Sequence, residues 1–231
     1  MDAIRTVREG DVTVVTIHRP ERRNALTRDG LDALRGAIDD ASAPVLCLDG
    51  AGAAFCAGAD LDTVAALDGE SAREFARQGQ AVADALATYD GATVATVDGP
   101  ARGGGVELAL ACDLRVCTAR STFAESGVTL GLFGAWGGTG RLVDIVGEGV
   151  AMDLSLSGRV LDADEAVRIG LVSRVLDDPR TVAHEIAATD ADAVRAIKGL
   201  LADPATHDRQ QEREREAFAE LVEARDRKRK D

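Results

Sequence analysis

The sequence predicts an α/β fold, and three observations carry that prediction. Short apolar runs rich in β-branched residues recur along the chain, as in Val12-Thr13-Val14-Val15-Thr16-Ile17. Each is followed by a loop and then by a stretch of helical periodicity, so that strand, loop, helix and strand repeat. At 231 residues, 45% of them hydrophobic but only 3% aromatic, the chain can bury a Val, Leu, Ile and Ala core in one main domain without staples.

The elements follow in order. The run 12–17 reads as a strand that leaves into a turn at Arg19-Pro20. Thr27 is placed to cap a helix over 28–41. A buried strand is expected at 45–49 and a loop of small residues at 50–58. Residues 71–88 carry helical periodicity, with Phe75, Val82 and Leu86 on one face. Ala92–Val97 is another buried strand, followed by Asp98-Gly99-Pro100 and the triple glycine 103–105. A helix should open there and run to Cys112, and 114–118 should return as a strand. Residues 131–140 are again rich in glycine, 162–170 reads as a short helix and 171–176 as one more strand. From about 181 the pattern is helical and increasingly charged, and the tail from Arg225 to Lys230 reads as a solvated, frayed helix end.

Charge narrows the function classes. A formal net charge of -13 repels phosphate backbones and anionic lipid, which argues against nucleic-acid and membrane partners. Only three cationic residues are lysine, namely Lys198, Lys228 and Lys230, against 40 Asp and Glu. This composition reads as a surface adapted to high salt; an Arg-rich, high-GC genome is the alternative. Cys47, Cys56, Cys112 and Cys117 lack CxxC spacing and sit among apolar neighbours, as expected of reduced core thiols in a cytoplasmic protein. His18, His184 and His207 are scattered, so no metal site is expected. The N-terminus has no long apolar run, so neither a signal peptide nor a membrane span is expected.

Two loops carry the chemistry. Phe55-Cys56-Ala57-Gly58-Ala59-Asp60-Leu61 follows a strand with little side-chain bulk, so its N–H groups can approach a ligand oxygen. Taken alone, it reads equally well as a tight turn. Gly103-Gly104-Gly105-Val106-Glu107 is a strand-to-helix turn whose free N–H groups carry the positive end of a helix dipole. Its spacing is neither a dinucleotide fingerprint nor a phosphate loop. Glu107 alone could be an ordinary first-turn glutamate. Together, two backbone donors from different segments can form an oxyanion hole, and a carboxylate beside them completes acid–base chemistry.

The segments HRPERRNALT (18–27), FCAGADL (55–61), GGGVELALACD (103–113) and GLFGAWGGTGRL (131–142) occur in the order seen in the enoyl-CoA hydratase/isomerase (crotonase) superfamily, and the chain resembles that family over about 5–175. The resemblance implies a crotonase-like spiral of repeated ββα units over 1–175, with a helical C-terminal region at 176–231 that serves trimerisation and a lid. It implies an acyl-CoA thioester as substrate, no cofactor beyond the coenzyme A of that substrate, and a homotrimer or hexamer. By motif match the oxyanion donors fall on the N–H groups of Ala59 and Gly104, and the family glutamate on Glu107. Arg23, Ala25 and Leu26 match the loop that holds the adenosine end of coenzyme A. Ala57, Asp60, Leu61, Gly127 and Trp136 are assigned to substrate binding. Trp136 could equally serve core packing.

The match departs in one place. A hydratase of this family uses two glutamates on one water, and the second position falls on Gly127. Glu125 lies two residues away, which in an extended segment is the same face but about 7 Å along the strand, so it is not the favoured replacement. Hydration of a 2-enoyl-CoA is the first expectation. Isomerisation or another enolate reaction, such as decarboxylation or naphthoate-synthase-like chemistry with a bound anion replacing the acid, stays open. So does a catalytically silent acyl-CoA-binding module. An RNA-binding role, known for one branch of the family, finds no lysine-rich helix. The distance from Phe218 to the chain end leads one to expect a shortened lid.

Overall fold

The computed structural model describes residues 3–202 and 206–228. Strands β1 (Ile4–Glu9) and β2 (Val12–Ile17) form an antiparallel hairpin, and β2 is joined in parallel by β3 (Val45–Gly50), β4 (Ala92–Val97), β6 (Leu114–Cys117) and β9 (Arg174–Val175) in the order β1-β2-β3-β4-β6-β9. β3 and β4 are buried from end to end apart from Gly50, which is why they read as continuous apolar runs rather than alternating ones. β1 escapes the sequence reading because it is an exposed edge carrying Arg5, Arg8 and Glu9, charges that discourage pairing with another chain.

After most strands of the large sheet the chain adds a short extended segment to a second layer and then a helix. β2 leads to Leu26, which bridges Ala59 in the segment after β3, and Cys56 bridges Ala101 of β5 (Pro100–Arg102). β5 pairs with β7 (Thr122–Ala124), and β7 with β8 (Leu161–Asp162). The helices are α1 (Arg28–Asp39), α2 (Leu61–Ala65), α3 (Gly69–Ala87), α4 (Gly104–Ala111), α5 (Gly138–Val146), α6 (Glu148–Ser157) and α7 (Ala163–Arg168). Thr27 caps α1 as expected, its Oγ1 accepting from Gly30 N–H at 3.2 Å. Leu31, Leu34 and Ile38 of α1 and Phe75, Val82 and Leu86 of α3 turn into one core with Val15, Ile17, Leu46 and Leu48 of the sheet.

The opposite sheet face, with Val12, Val14, Val45, Cys47 and Val94, is covered by Val182 and Ala183 of α8 (Thr181–Ala187). Beyond it lie α9 (Ala191–Ala202) and α10 (His207–Lys228). All described structure after β9 is therefore helical. The helical tail continues to Lys228, while Arg229 and Lys230 fall outside the described residues. The strand expected over 171–176 shrinks to Arg174–Val175. Leu171 and Val172 are apolar because they are buried, 2% exposed each, just after α7, and not because they join the sheet. α5 and α6, which the sequence reading did not assign, are masked by the glycines that surround them.

All four cysteines are buried and unpaired. Burial pushes the thiols of Cys47, Cys56 and Cys112 up to about 12 and that of Cys117 to about 11. Among the described residues no helix is long and apolar enough to cross a membrane.

Candidate active site

The site forms where the 55–61 loop meets the N-terminus of α4. Gly58, at φ +83°, is packed so closely that a Cβ there would lie 2.9 Å from Gly104 N and 2.7 Å from Arg102 O. A Cβ on Gly105 would come within 2.2 Å of Cys56 O, so the glycines permit backbone to touch backbone. Asn24 secures the loop from behind. It is fully buried at φ +60°, its Nδ2 donates to the carbonyls of Ala51, Ala54 and Phe55 at 2.9, 2.7 and 3.1 Å, and its Oδ1 accepts from Arg19 N–H at 2.9 Å. The sequence reading passed over Asn24; its signal was an Asn in a turn position before the capping Thr27.

The backbone of Ala59 and of Gly104 borders the site. Gly58 C=O and Asp60 N–H both bond to Leu26, at 2.8 and 2.9 Å. In an extended segment the intervening N–H of Ala59 therefore points the other way. Gly104 is the first residue of α4, and its N–H is one of the donors that a helix cannot satisfy internally. Ala59 and Gly104 both line a cavity of about 200 Å³, together with Glu107. Its other walls are largely apolar: Leu61 and Val64 of α2, Phe75 of α3, and Leu130, Leu132 and Phe133.

Glu107 is 1% exposed. Its Oε1 accepts from the N–H groups of Trp136 at 3.0 Å and Gly138 at 2.7 Å, while Oε2 has no hydrogen-bond donor among the described residues. Burial raises the carboxyl above its ordinary value, and the two N–H bonds and the charge of Arg141 offset only part of that. Gly134 and Gly138 make room for it, since a Cβ on either would come within 2.6 Å of a carboxylate oxygen. Trp136 is 3% exposed, packs edge-on to Phe75 at 6.0 Å between ring centroids, and fits between Gly79 and Gly104. It thus serves both expected roles, core packing and cavity wall.

Among the residues assigned from sequence, Ala57, Ala59, Leu61, Gly104, Glu107, Gly127 and Trp136 all meet on this cavity. Arg23, Ala25, Leu26 and Asp60 do not line it. Arg23 is exposed in a left-handed turn at φ 52° and its C=O accepts from Ala57 N–H, whereas Ala25 and Leu26 are buried beneath. Asp60 caps α2 through Thr63 N–H and pairs with Arg19 at 3.2 Å. Burial pushes its carboxyl up, but these partners and Arg22 outweigh burial and hold it below the ordinary value. Glu125 does not follow the extended geometry assumed from sequence. β7 ends at Ala124, and a 3-10 turn over Ser126–Leu130 sends Gly127 to the cavity and Glu125 to a chamber next to it.

The fold is a crotonase-type spiral, with Ala59, Gly104 and the buried Glu107 on one cavity. The profile of the family described as "Enoyl-CoA hydratase/isomerase" matches residues 7–230, and the chain belongs to this family. It is 37% identical to a protein named crotonyl-CoA hydratase from Syntrophomonas wolfei, over 83% of this chain and 78% of that one. Among solved structures it resembles the enoyl-CoA hydratase of Bacillus anthracis with a TM-score of 0.91 at 28% identity, covering 97% and 93% of the two chains. It also resembles a Thermobifida fusca protein described as a putative enoyl-CoA hydratase in complex with acetoacetyl-CoA, with a TM-score of 0.86 at 30% identity and 96% coverage of both.

Proposed function

We propose that this protein adds water across the double bond of a short 2-enoyl-CoA. The observation that carries the reading is the placement of Ala59 N–H, Gly104 N–H and Glu107 on one apolar cavity. The thioester oxygen accepts from the two N–H groups, which stabilise the negative charge it gains as an enolate. Glu107 takes a proton from water as the water oxygen bonds to the β-carbon, and the electron pair of the double bond moves to the thioester oxygen. The same carboxyl then returns the proton to the α-carbon. A cavity of about 200 Å³ is smaller than the roughly 300–1,000 Å³ of sites for drug-sized ligands, which favours a short acyl chain. The acyl group of the acetoacetyl-CoA described for the Thermobifida relative is likewise short. Coenzyme A enters only as part of the substrate, with Arg23, exposed in its left-handed turn, assigned to its adenosine end.

The reading extends to a cytoplasmic enzyme that assembles with copies of itself. Four thiols without disulfides support the first, and exposed Ile197, Leu201, Phe218 and Val222 on α9 and α10 support the second. Gly127 leaves the cavity with one carboxylate, which favours isomerisation between α- and γ-carbons as the second reading. Turnover of crotonyl-CoA against a 3-enoyl-CoA and a malonyl-type thioester decides. Hydration of crotonyl-CoA supports the proposal, and binding of all three without reaction refutes it.

A further inference from the structure

Beside the acyl cavity lies a smaller chamber of about 40 Å³ that shares Glu107, Phe133 and Gly134 with it and is completed by Glu125, Thr139 and Ser155 among others. Two carboxyl groups face this chamber with buried oxygens that no group among the described residues satisfies, Oε2 of Glu107 and Oε1 of Glu125. An unsatisfied buried carboxylate is costly, and two of them in one enclosure cannot both ionise cheaply. The chamber exceeds the roughly 10–15 Å³ needed to hold one water, and the polar side chains among its lining, Glu107, Glu125, Thr139 and Ser155, offer that water partners.

The two acids are not equivalent. Glu107 has the N–H groups of Trp136 and Gly138 on one oxygen and the Arg141 guanidinium of α5 acting on it. The charge that acts on Glu125 is that of Glu107, and the other polar side chains of the chamber are the hydroxyls of Thr139 on α5 and Ser155 on α6. We infer that Glu125 is a positioning residue for Glu107: the pair holds one proton across a water in this chamber, Glu125 keeping the proton and donating toward Oε2 while Glu107 remains the anion. Glu125 does not line the acyl cavity and acts only through Glu107. In agreement, burial first and the charge of Glu107 second push the Glu125 carboxyl up to about 8. The second acid of the site then lies behind the first, where a sequence position two residues off would not suggest it. The inference rests on the hydratase reading only for its consequence in catalysis; the shared proton stands apart from it.

The test combines infrared spectroscopy with a pH profile. The wild type should show the carbonyl stretch of a neutral carboxyl group near neutral pH, lost as pH rises through about 8 and absent over that same neutral-to-alkaline range in Glu125→Gln. With crotonyl-CoA, kcat/KM should fall along an alkaline limb in the wild type, and that limb should vanish in Glu125→Gln. Glu125→Leu should lower kcat about tenfold, with Glu125→Gln, which still donates, restoring most of it. The inference is overturned if the wild type shows no neutral carboxyl band, if the band survives Glu125→Gln, or if the alkaline limb is unchanged in that variant. A band that behaves as stated in a protein that hydrates nothing supports the shared proton and overturns the hydratase reading alone.

Discussion

Glu107→Gln separates the charge of the central residue from its shape. Oε1 sits in front of two N–H donors at 3.0 and 2.7 Å, so the amide oxygen takes that place and the NH₂ group falls where Oε2 was. Both hydrogen bonds survive, and a buried charge is removed, so folding should be kept. What is lost is the base. General acid–base catalysis contributes about 100- to 10,000-fold, or roughly 3–5 kcal/mol of barrier. The loss should fall on kcat, with affinity within about threefold of wild type. Hydration is followed by the fading enoyl absorbance of crotonyl-CoA, and affinity by fluorescence of Trp136, the sole tryptophan and a wall of the cavity. Because burial raises the Glu107 carboxyl, the acid limb of the wild-type kcat/KM should lie above the usual glutamate range. Wild-type turnover in the variant would remove Glu107 from the mechanism, and equal loss of binding and turnover would make its role structural.

Three further outcomes are expected. A Cβ on Gly79 would lie 2.1 Å from the Trp136 ring, so Gly79→Ala should overpack this wall and cost about 1–3 kcal/mol in chemical denaturation, with altered Trp136 fluorescence; an unchanged midpoint would mean the wall yields freely. Glu125 has a folded-state pKa above its unfolded one, so its favourable contribution is complete below about 4.5 and lost as pH rises toward about 8. Stability of Glu125→Gln relative to wild type should therefore grow by about 3–5 kcal/mol across that interval, and parallel pH curves would refute it. With a net charge of -13, the thermal midpoint should rise from roughly 0.05 M to about 2 M salt as screening relieves repulsion; a flat or falling midpoint rules out adaptation to high salt.

The parts legible in the sequence were those in which one local rule dominates. α1 announces itself through Thr27 and the spacing of Leu31, Leu34 and Ile38, and β3 and β4 through runs buried on both faces. Glu107, Ala59 and Gly104 were assigned by motif match to the family, the glycine-rich loops by themselves marking only close backbone approach, and the structure brings all three to one cavity. The donors that fix Glu107 were not legible, since the N–H groups of Trp136 and Gly138 are carried by backbone that any residue would supply. Only Gly134 and Gly138, small because a carboxylate lies against them, left a trace. Glu125 was misplaced for another reason. Its geometry was judged by the period of a strand, whereas the chain leaves the strand at Ala124 and turns. A buried acid whose carboxyl is pushed up by the charge of another acid is a tertiary fact, set by α5 and α6 closing over it.

Gly127→Glu asks whether the single carboxylate on the cavity limits hydration. Gly127 lines the acyl cavity with Glu107, and its φ is not in the left-handed region that would demand glycine. The obstacle is space. A Cβ there would lie 3.0 Å from Phe133 Cα and 3.1 Å from Leu132 O, so the segment carrying Leu132 and Phe133 must give by a few tenths of an ångström, at a cost of about 1–3 kcal/mol. If it does, the new carboxyl shares the cavity with Glu107, and with Glu125 behind it three acids would crowd one buried region. Each further charge raises the pKa of the others, so the new group would enter protonated, as an acid able to deliver a proton to the α-carbon while Glu107 activates water. Hydration should therefore rise about tenfold in the variant, and the gain should fade as alkaline pH ionises the new group. The measurement is crotonyl-CoA hydration across pH, with circular dichroism to establish folding. A folded variant that hydrates more slowly at every pH would show that Glu107, backed by Glu125, already moves both protons, and that the glycine keeps the cavity open for the acyl chain.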